Sequence, residues 1–445
     1  MYEENISLRI RGSIPLTGTV DIRGSKNAAS KMMVASLLTR EKCTIRNIPF
    51  SLETAITREL CEGVGAKVYY QNDHECVVHA KEIKTSVVPP LSRRNRVSIL
   101  AIGPLVLRTG SAEIPFPGGD PIGHRPINFH IEALHKMGIR FEIGEHTYLA
   151  RAHTMKGADI VLPYPSVGAT ESILFAAVCA EGITTIKNAA IEPEIINVVD
   201  MLGTMGADIM VDQERRHMII KGVTRLYGTE IQVIPDRNEV VSFACAALAT
   251  HGQIRIHGGN TSHLSSFLAQ VRQINGHVDI EEDSFLFWGR GQYRSAAIET
   301  APHPGFMTDW QQPFCVVLTQ AQGTSLVHET VYEDRLGYSK DLIKMGVDIE
   351  TTDECLGVPC RLMHRGYLHS ARIRGPSVLS GADLTITDIR AGIAHVIAAL
   401  AAEGESVIHG VEHLDRGYEE LDTRLRGLGA DIARISSNGN EIKSS

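Results

Sequence analysis

The chain has 445 residues, 43% of them hydrophobic, and a formal net charge of -8 at pH 7. A chain of this length exceeds what one compact core usually holds, so we expect two or more domains. The acidic balance argues against general binding to nucleic acid, which requires a basic surface.

The beginning of the chain, MYEENISLRIRG, is acidic and lacks the basic and then apolar order of a signal peptide. The most apolar helical run, residues 391–402, is too short to cross a bilayer and contains His395. We therefore predict a cytoplasmic protein without membrane insertion.

Residues 115–130, PFPGGDPIGHRPINFH, have a composition that is not typical of a packed core. Four prolines and three glycines surround an aspartate, an arginine and two histidines. This composition favours a rigid loop that faces a ligand. An ordinary surface loop is the alternative, because glycine and proline also occur in inert loops.

One pattern recurs six times along the chain, at intervals of 68–83 residues. An apolar helix, a strand, an amphipathic helix, a turn and a second strand follow one another in each repeat. The turns contain Gly65, Gly138, Gly206, Gly276, Gly346 and Gly429. Six such α/β repeats are compatible with a solenoid, a single barrel or two pseudo-symmetric domains of three.

The first helix of each repeat is apolar on nearly all faces, as in residues 166–182 and 386–404, and is predicted to be buried on all sides. Each of these helices begins next to a polar residue: Lys26, Arg96, Ser166, Arg237, Asp309 and Arg390. The loops before the outer helices add Arg125, Glu192, Glu194, Arg335 and Arg416.

Parallel buried helices would bring their N-termini to one end of each half, where free N–H groups bind anions. We therefore predict an arginine-rich cleft between the halves, suited to phosphate and carboxylate. Helix caps and surface salt bridges are the alternative interpretation of these residues. Clustered guanidinium groups repel one another without an anion, so the cleft is predicted to be partly open when empty and to close on its ligand.

The eight cysteines are scattered, mostly in apolar surroundings, with no C-x-x-C motif and no histidine cluster at ligand spacing. We interpret them as reduced core residues rather than disulfides or metal ligands. They are Cys43, Cys61, Cys76, Cys179, Cys245, Cys315, Cys355 and Cys360.

Several segments, in this order and spacing over nearly the whole chain, resemble the enolpyruvyltransferases. They are GSKNAAS (24–30), NRVSILAIGPLV (95–106), PGGDPIGHRP (117–126), SVGATES (166–172), NAAIEPEI (188–195), APHPGFMTDWQ (301–311), ETVYEDR (329–335), TDIRAG (387–392) and HLDRGYEELDTRLRGLGA (413–430). Two of them, PGGDPIGHRP and HLDRGYE, are signatures of the branch that acts on a sugar nucleotide rather than of the shikimate-pathway branch.

The resemblance implies an α/β fold of two domains, each an inside-out α/β barrel of three repeats, with the active site in the cleft between them. One domain would span about residues 25–233 and carry residues 115–130, which the resemblance makes a mobile loop over the cleft. The other would combine residues 1–24 and 234–445. The resemblance leaves the oligomeric state open.

In the sugar-nucleotide branch, the enolpyruvyl group of phosphoenolpyruvate moves to the 3-hydroxyl of UDP-N-acetylglucosamine and phosphate is released, as the first committed step of peptidoglycan synthesis. Addition followed by elimination needs an acid, a base and cations at the anionic ends, and no metal or organic cofactor. The alternatives are a paralogue acting on another nucleotide or sugar nucleotide in secondary metabolism, and a catalytically idle binding protein.

The resemblance also implies roles for individual positions. Asp120 would be the acid, Asp309 the base, and Lys26 a further catalytic residue that contacts phosphoenolpyruvate together with Asn27. The arginines around its phosphate and carboxylate would be Arg125, Arg335, Arg390 and Arg416. The sugar nucleotide would be lined by Arg96, Arg125, Pro126, Ile127, Asn128, Phe129, Tyr164, Pro165, Ser166, Val167, Asp309 and Val331.

Three positions depart from the common pattern of the family. Asp120 stands where many members have cysteine, Asn128 where aspartate is commoner, and Tyr164 where many have lysine. An aspartate with an ordinary pKa of about 3.9 is ionised at pH 7. To act as an acid, Asp120 must be desolvated or lie near the negative charge of the substrate, since both raise the pKa of a carboxyl group.

Overall fold

The computed structural model describes residues 6–93, 95–119, 123 and 126–442. It has a mixed α/β fold, as predicted. The chain divides into two compact bodies. Of the described residues, the N-terminal body contains 23–93, 95–119 and 126–234, and the C-terminal body contains 6–22, Gly123 and 235–442.

Six small sheets lie within the described ranges, three in each body, and they share one strand arrangement. In five of them an edge strand runs parallel to its neighbour, and two further strands follow antiparallel. In the sixth, a single parallel bridge between Val87 and Glu113 takes the place of the edge strand. The sixfold repeat predicted from the sequence is therefore present in the structure.

Each sheet begins with its parallel edge, and its strands follow in spatial order. In the N-terminal body they are Thr229–Gln232, Lys42–Arg46, Glu75–His79 and Lys67–Asn72; then Asp159–Val161, Ile183–Lys187, His217–Lys221 and Asp208–Asp212; then Ser111–Pro115, Thr147–Arg151 and Arg140–Ile143. In the C-terminal body they are Asp383–Thr385, Glu405–His409, Ser7–Arg11 and Asp431–Ile435; then Thr17–Asp21, Gln253–His257, Ser284–Trp288 and His277–Ile280; then Tyr293–Arg294 with Ala297–Glu299, Ala321–His328, Ser370–Gly375 and Asp348–Thr352.

The helices follow the same division. In the N-terminal body they are Lys26–Ala35, Leu52–Gly63, Ile102–Thr109, Asn128–Lys136, Val167–Ala177 and Pro193–Thr204, with 3-10 turns at Ser36–Leu38 and Val97–Ala101. In the C-terminal body they are Arg237–Ala249, Ser265–Gln273, Thr308–Leu318, Ser339–Lys344, Ile389–Ala401, Glu412–Asp415 and Leu421–Gly427, with a 3-10 turn at Thr261–Leu264.

The apolar helices form the cores, as predicted. Every residue of Arg237–Ala249 is buried, and this helix packs against Thr308–Leu318 and Ile389–Ala401 in the core of the C-terminal body. In the N-terminal body, Ile102–Thr109 and Val167–Ala177 pack against each other in the same way. The small side chains of these helices allow close packing, and the resulting burial of apolar surface stabilises both bodies.

The predicted glycine turns follow the outer helices, with one difference. Gly65, Gly206 and Gly346 have φ values of 109°, 97° and 97°, in the left-handed region that glycine adopts without steric cost. In the fourth repeat, Asn275 adopts this conformation at φ 63°, and Gly276 does not. Asparagine is the other residue that commonly ends helices this way, so the sequence placed this turn one residue too late.

Among the described residues, none of the helices has both the length and the hydropathy needed to cross a membrane.

Candidate active site

In the C-terminal body, the predicted base contacts two of the predicted arginines. Asp309 lies in the first turn of the buried helix Thr308–Leu318. Its Oδ2 accepts a hydrogen bond from Nε of Arg390 at 3.0 Å, and its Oδ1 forms an ion pair with Arg335. Both carboxylate oxygens of Asp309 are thus engaged by guanidinium groups.

Arg335 is held almost entirely inside the C-terminal body, with its side chain 2% exposed. Its guanidinium also donates hydrogen bonds to Asp388 and to Thr308, each at 3.3 Å. Burial alone lowers the pKa of Arg335, but the neighbouring carboxylates outweigh it, and the pKa is raised. Arg335 is therefore a permanent cation with a fixed orientation.

A chain of hydrogen bonds orients Arg390. Its Nη1 donates to the hydroxyl of Tyr418 at 2.9 Å, and this hydroxyl lies 2.8 Å from Oγ of Ser242. Because Ser242 donates its own proton to the carbonyl of Asn238, the Tyr418 hydroxyl must donate to Ser242. Burial raises the pKa of Tyr418 to about 12, so it stays neutral at physiological pH. The pKa of Arg390 is also raised, because Tyr418, Asp309 and Asp236 outweigh its burial.

Asp388 connects the start of a buried helix to the arginines. As the N-cap of Ile389–Ala401, its Oδ1 accepts from the backbone N–H groups of Arg390 at 2.9 Å and Ala391 at 3.1 Å. The same oxygen faces Arg335. Sequence reasoning missed Asp388 and Tyr418, although both lie in the motifs TDIRAG and HLDRGYE.

Glu329 fixes the turn that carries Val331. Its carboxylate accepts hydrogen bonds from Oγ1 of Thr308 at 2.9 Å and from the backbone N–H groups of Val331 and Tyr332 at 2.8 and 3.0 Å. Burial raises the pKa of Glu329, and Arg335 acts against this. Val331 is buried. The partly buried Arg416 lies two residues before Tyr418, at the end of the short helix Glu412–Asp415.

In the N-terminal body, several predicted site residues also lie at helix starts. Lys26 is the first residue of Lys26–Ala35 and is 8% exposed, and Asn27 follows it, partly buried. Arg96 precedes the 3-10 turn Val97–Ala101. Ser166 is the N-cap of Val167–Ala177 and accepts from the N–H of Ala169 at 3.4 Å.

The remaining predicted positions of this body lie in two segments. Ile127 is the N-cap of Asn128–Lys136, with exposed Pro126 before it and Asn128 and Phe129 in the first turn. The partly buried Tyr164 and Pro165 lead to Ser166, and Val167 is exposed. Asp120 and Arg125 lie outside the described residues.

Two buried ionisable groups lie next to these positions. Burial raises the pKa of Glu171 to about 7, Lys31 acts against this, and Glu192 and Glu194 add to it. Burial and then Arg96 lower the pKa of His130 to about 3, and its Nδ1 lies 2.8 Å from Oγ of Ser172. The sequence predicts a role for neither residue, because Glu171 lies within an apolar helix pattern and His130 counts only as one of the two histidines in residues 115–130.

All eight cysteines are free, as predicted, but the prediction that they are core residues is confirmed for five and wrong for three. Cys43, Cys61, Cys76, Cys245 and Cys315 are buried and free, as expected, and Cys179 is free and partly buried. Cys355 and Cys360 are likewise only partly buried, and they lie together with His328 and His369 in a cluster with the composition of a metal site. The sequence could not show this cluster, since strand pairing brings the two histidines together.

Comparison with known proteins gives consistent similarities. The family model described as EPSP synthase (3-phosphoshikimate 1-carboxyvinyltransferase) matches residues 10–425. A UDP-N-acetylglucosamine 1-carboxyvinyltransferase of Protochlamydia amoebophila (strain UWE25) is 43% identical over 443 residues, covering 97% of this chain and 95% of the relative. The protein of the same name from Idiomarina loihiensis is 37% identical over 432 residues, covering 96% and 99%.

Two solved structures share the fold. The enolpyruvyl transferase NikO from Streptomyces tendae aligns with a TM-score of 0.84 at 22% identity, over 98% of this chain and all (100%) of that chain. An EPSP synthase from Acinetobacter baumannii aligns with a TM-score of 0.71 at 16% identity, over 97% and 100%. At these identities the similarity concerns the fold alone.

Proposed function

The chain belongs to the EPSP synthase family, and from this premise we propose that it transfers the enolpyruvyl group of phosphoenolpyruvate to the 3-hydroxyl of UDP-N-acetylglucosamine, with release of phosphate. The observation that carries the proposal is the full-length identity of 37–43% to proteins named for this transfer. The chain is thus an enzyme of peptidoglycan synthesis.

The reaction places two opposite demands on the site. In the addition step, the methylene carbon of phosphoenolpyruvate gains a proton while the sugar oxygen bonds to C2 and gives up its own proton. In the elimination step, the C–O bond to phosphate breaks and the new methyl group loses a proton. An acid above the methylene and a base at the hydroxyl must therefore act together.

We assign the base to Asp309, and the contacts of its carboxylate suggest how it becomes active. Its oxygens are held by Arg335 and Arg390. Phosphate and carboxylate groups compete well for guanidinium groups. When phosphoenolpyruvate engages the two arginines, Asp309 loses cations that favour its ionised form and becomes a better proton acceptor. Substrate binding and base activation are coupled in this mechanism.

The other roles follow the family pattern. Asp120 is the proposed acid, and Lys26, Asn27, Arg125 and Arg416 hold phosphoenolpyruvate together with the two arginines above. The proposed sugar-nucleotide positions are Arg96, Pro126, Ile127, Asn128, Phe129, Tyr164, Pro165, Ser166, Val167 and Val331. The proposal includes the finer architecture: two inside-out α/β barrels of three repeats, at 25–233 and at 1–24 with 234–445, with the substrates between them.

Phosphate release tests the proposal. Purified protein is mixed with phosphoenolpyruvate and UDP-N-acetylglucosamine, and the control acceptor is the same sugar nucleotide without its 3-hydroxyl. We expect phosphate release with the first acceptor and none with the control. Release only with a different nucleotide would instead support a paralogue, and no release with any acceptor would indicate a binding protein.

A further inference from the structure

Four side chains of the C-terminal body meet where two strands end and begin. His328 is the last residue of Ala321–His328, and His369 immediately precedes the antiparallel strand Ser370–Gly375, in which Ser370 pairs with His328. Cys355 and Cys360 come from the loop 353–369 that leads into this strand. One ligand atom from each of the four residues lies within 4.8 Å of the others.

Both histidines present a ring nitrogen lone pair to the cluster. Nδ1 of His369 lies 2.8 Å from the carbonyl oxygen of Tyr367, which can only accept, so this nitrogen carries the proton. Nδ1 of His328 lies 2.8 Å from Oε2 of Glu299, again an acceptor. Metal-binding histidines typically donate from their outer nitrogen to a carbonyl or carboxylate in this way.

The inner nitrogen of His328 is the decisive atom. His328 is 2% exposed, and its buried Nε2 has no hydrogen-bond partner among the described residues. A buried polar atom without a partner is unfavourable, because it has lost its hydrogen bonds to water. A metal ion bound by this lone pair would remove that cost.

Two of the distances between the ligand atoms match tetrahedral coordination. The sulfur atoms of Cys355 and Cys360 are 3.7 Å apart, and Sγ of Cys355 lies 3.4 Å from Nε2 of His369. Tetrahedral zinc, with Zn–S near 2.3 Å and Zn–N near 2.0–2.1 Å, gives ligand separations of about 3.8 Å for S–S and about 3.5 Å for S–N. We propose that His328, Cys355, Cys360 and His369 form a structural Cys2His2 site for zinc, which thiolate and imidazole ligands favour.

The surrounding loop is shaped to support the site. The backbone N–H of Leu362 donates to Sγ of Cys360 at 3.3 Å, and that of Val358 donates to Oε2 of Glu299 at 2.8 Å. A side chain at Gly357 would place its Cβ 2.0 Å from Oε2 of Glu299 and 2.7 Å from Nδ1 of His328. Glycine is therefore required where the loop passes over the outer face of the site.

The loop 353–369 also contacts the turn that carries Val331 and Arg335. Arg361, next to Cys360, donates to the carbonyl oxygens of Thr330 (3.4 Å) and Val331 and forms an ion pair with Glu333 at 3.4 Å. The N–H of Glu329 donates to the carbonyl of His369 at 2.7 Å. Bound zinc would therefore hold this turn in place. The expected consequence for substrate binding rests on the proposed function. The proposal of the metal site itself is independent of that function.

Metal analysis tests the site directly. The full chain, purified under reducing conditions without a histidine tag, is measured by mass spectrometry for bound metals. We expect about one zinc per chain, lost in Cys355→Ser and Cys360→Ser and retained in the control Cys179→Ser. Zinc well below this amount in the wild type, or unchanged in the two serine variants, would overturn the proposal.

Two further measurements use milder changes, in case the serine variants do not fold. Wild-type protein depleted with a chelator and titrated with Co2+ should show the absorption bands of tetrahedral cobalt bound to thiolate, and octahedral cobalt would refute the site. Glu299→Gln should weaken zinc affinity about 10–100-fold, as for other outer partners of metal-bound histidines. Unchanged affinity would count against the assigned histidine orientation.

The link to the turn is measured separately. Zinc-depleted protein should show a raised KM for UDP-N-acetylglucosamine that zinc restores, and an unchanged KM would refute the bracing role. If zinc is stoichiometric but no phosphate is released with this acceptor, the proposed function fails and the metal site stands.

Discussion

At the scale of single residues, the contacts of Asp309 bear on its proposed role as the base. A carboxylate held by two guanidinium groups is well placed but is a poor proton acceptor. Arg335 and Arg390 are both buried and both oriented by further partners, Asp388 and Tyr418. In the proposed mechanism, an anionic substrate that competes for these arginines raises the basicity of Asp309.

Asp309→Asn tests the base. The amide keeps the shape but cannot accept a proton, so we expect kcat to fall roughly 10²–10⁴-fold, with a smaller change in the KM of the sugar nucleotide. Steady-state phosphate release is the measurement. Asp348→Asn, at an exposed strand position, is the matched control and should leave kcat unchanged. A near-wild-type kcat in Asp309→Asn would assign the base to another residue.

Asp120 is the second residue-scale prediction, made from the sequence because it lies outside the described residues. Asp120→Ala should abolish turnover, and Asp120→Cys should keep part of it, because a thiol can also deliver the proton. The wild-type protein should resist epoxides that alkylate the cysteine found here in many relatives. An active Asp120→Ala variant, or a mass increase on Asp120 after epoxide treatment, would contradict the assignment.

At the scale of elements, the buried helices combine packing with placed charges. Val167–Ala177 lies in the core of the N-terminal body, yet it carries Glu171, which is 2% exposed. The nearly uniform apolar residues make this helix easy to predict from the sequence. The same pattern does not show that Glu171, its one ionisable residue, has a shifted pKa. The burial that raises the pKa of Glu171 makes the stability of this body depend on pH.

Glu171→Gln tests this dependence. Between its usual pKa of 4.5 and about 7, the folded protein keeps a proton that the unfolded chain has released, so the free energy of unfolding falls as the pH rises. The variant should match the wild type near pH 4 and exceed it by roughly 3 kcal/mol at pH 8. Urea unfolding at both pH values measures the difference. The exposed control Glu214→Gln should show none, and a pH-independent gain in Glu171→Gln would refute the shifted pKa.

At the scale of the whole molecule, the residues assigned to the proposed transfer are divided between two bodies with the same repeated sheet arrangement. The N-terminal body holds Lys26, Arg96 and Ser166 at helix starts, whereas the C-terminal body holds Asp309, Arg335 and Arg390. The proposed transfer therefore uses residues from both bodies.

Stabilisation by bound ligand tests whether residues of both bodies bind phosphoenolpyruvate. With the acceptor that lacks the 3-hydroxyl present, phosphoenolpyruvate at 100 times its Kd should stabilise the protein by about 2.7 kcal/mol. Lys26→Ala in the N-terminal body and Arg416→Ala in the C-terminal body should each remove most of this gain. In thermal unfolding, the exposed controls Lys187→Ala and Arg365→Ala should keep the full stabilisation by phosphoenolpyruvate. A full gain in either site variant would remove that residue from the phosphoenolpyruvate site.

The repeats, the buried helices and the family could be predicted from the amino-acid sequence, because they depend on local periodicity and on motifs read in order. Which of those residues are in contact became visible with the fold: Asp309 contacts Arg390, 81 positions away, and Tyr418 contacts Ser242, 176 positions away. The same holds for His328 and His369, which strand pairing places beside Cys355 and Cys360. Contacts between distant segments follow from the packing of whole elements. The spacing of residues within a single segment therefore does not predict them.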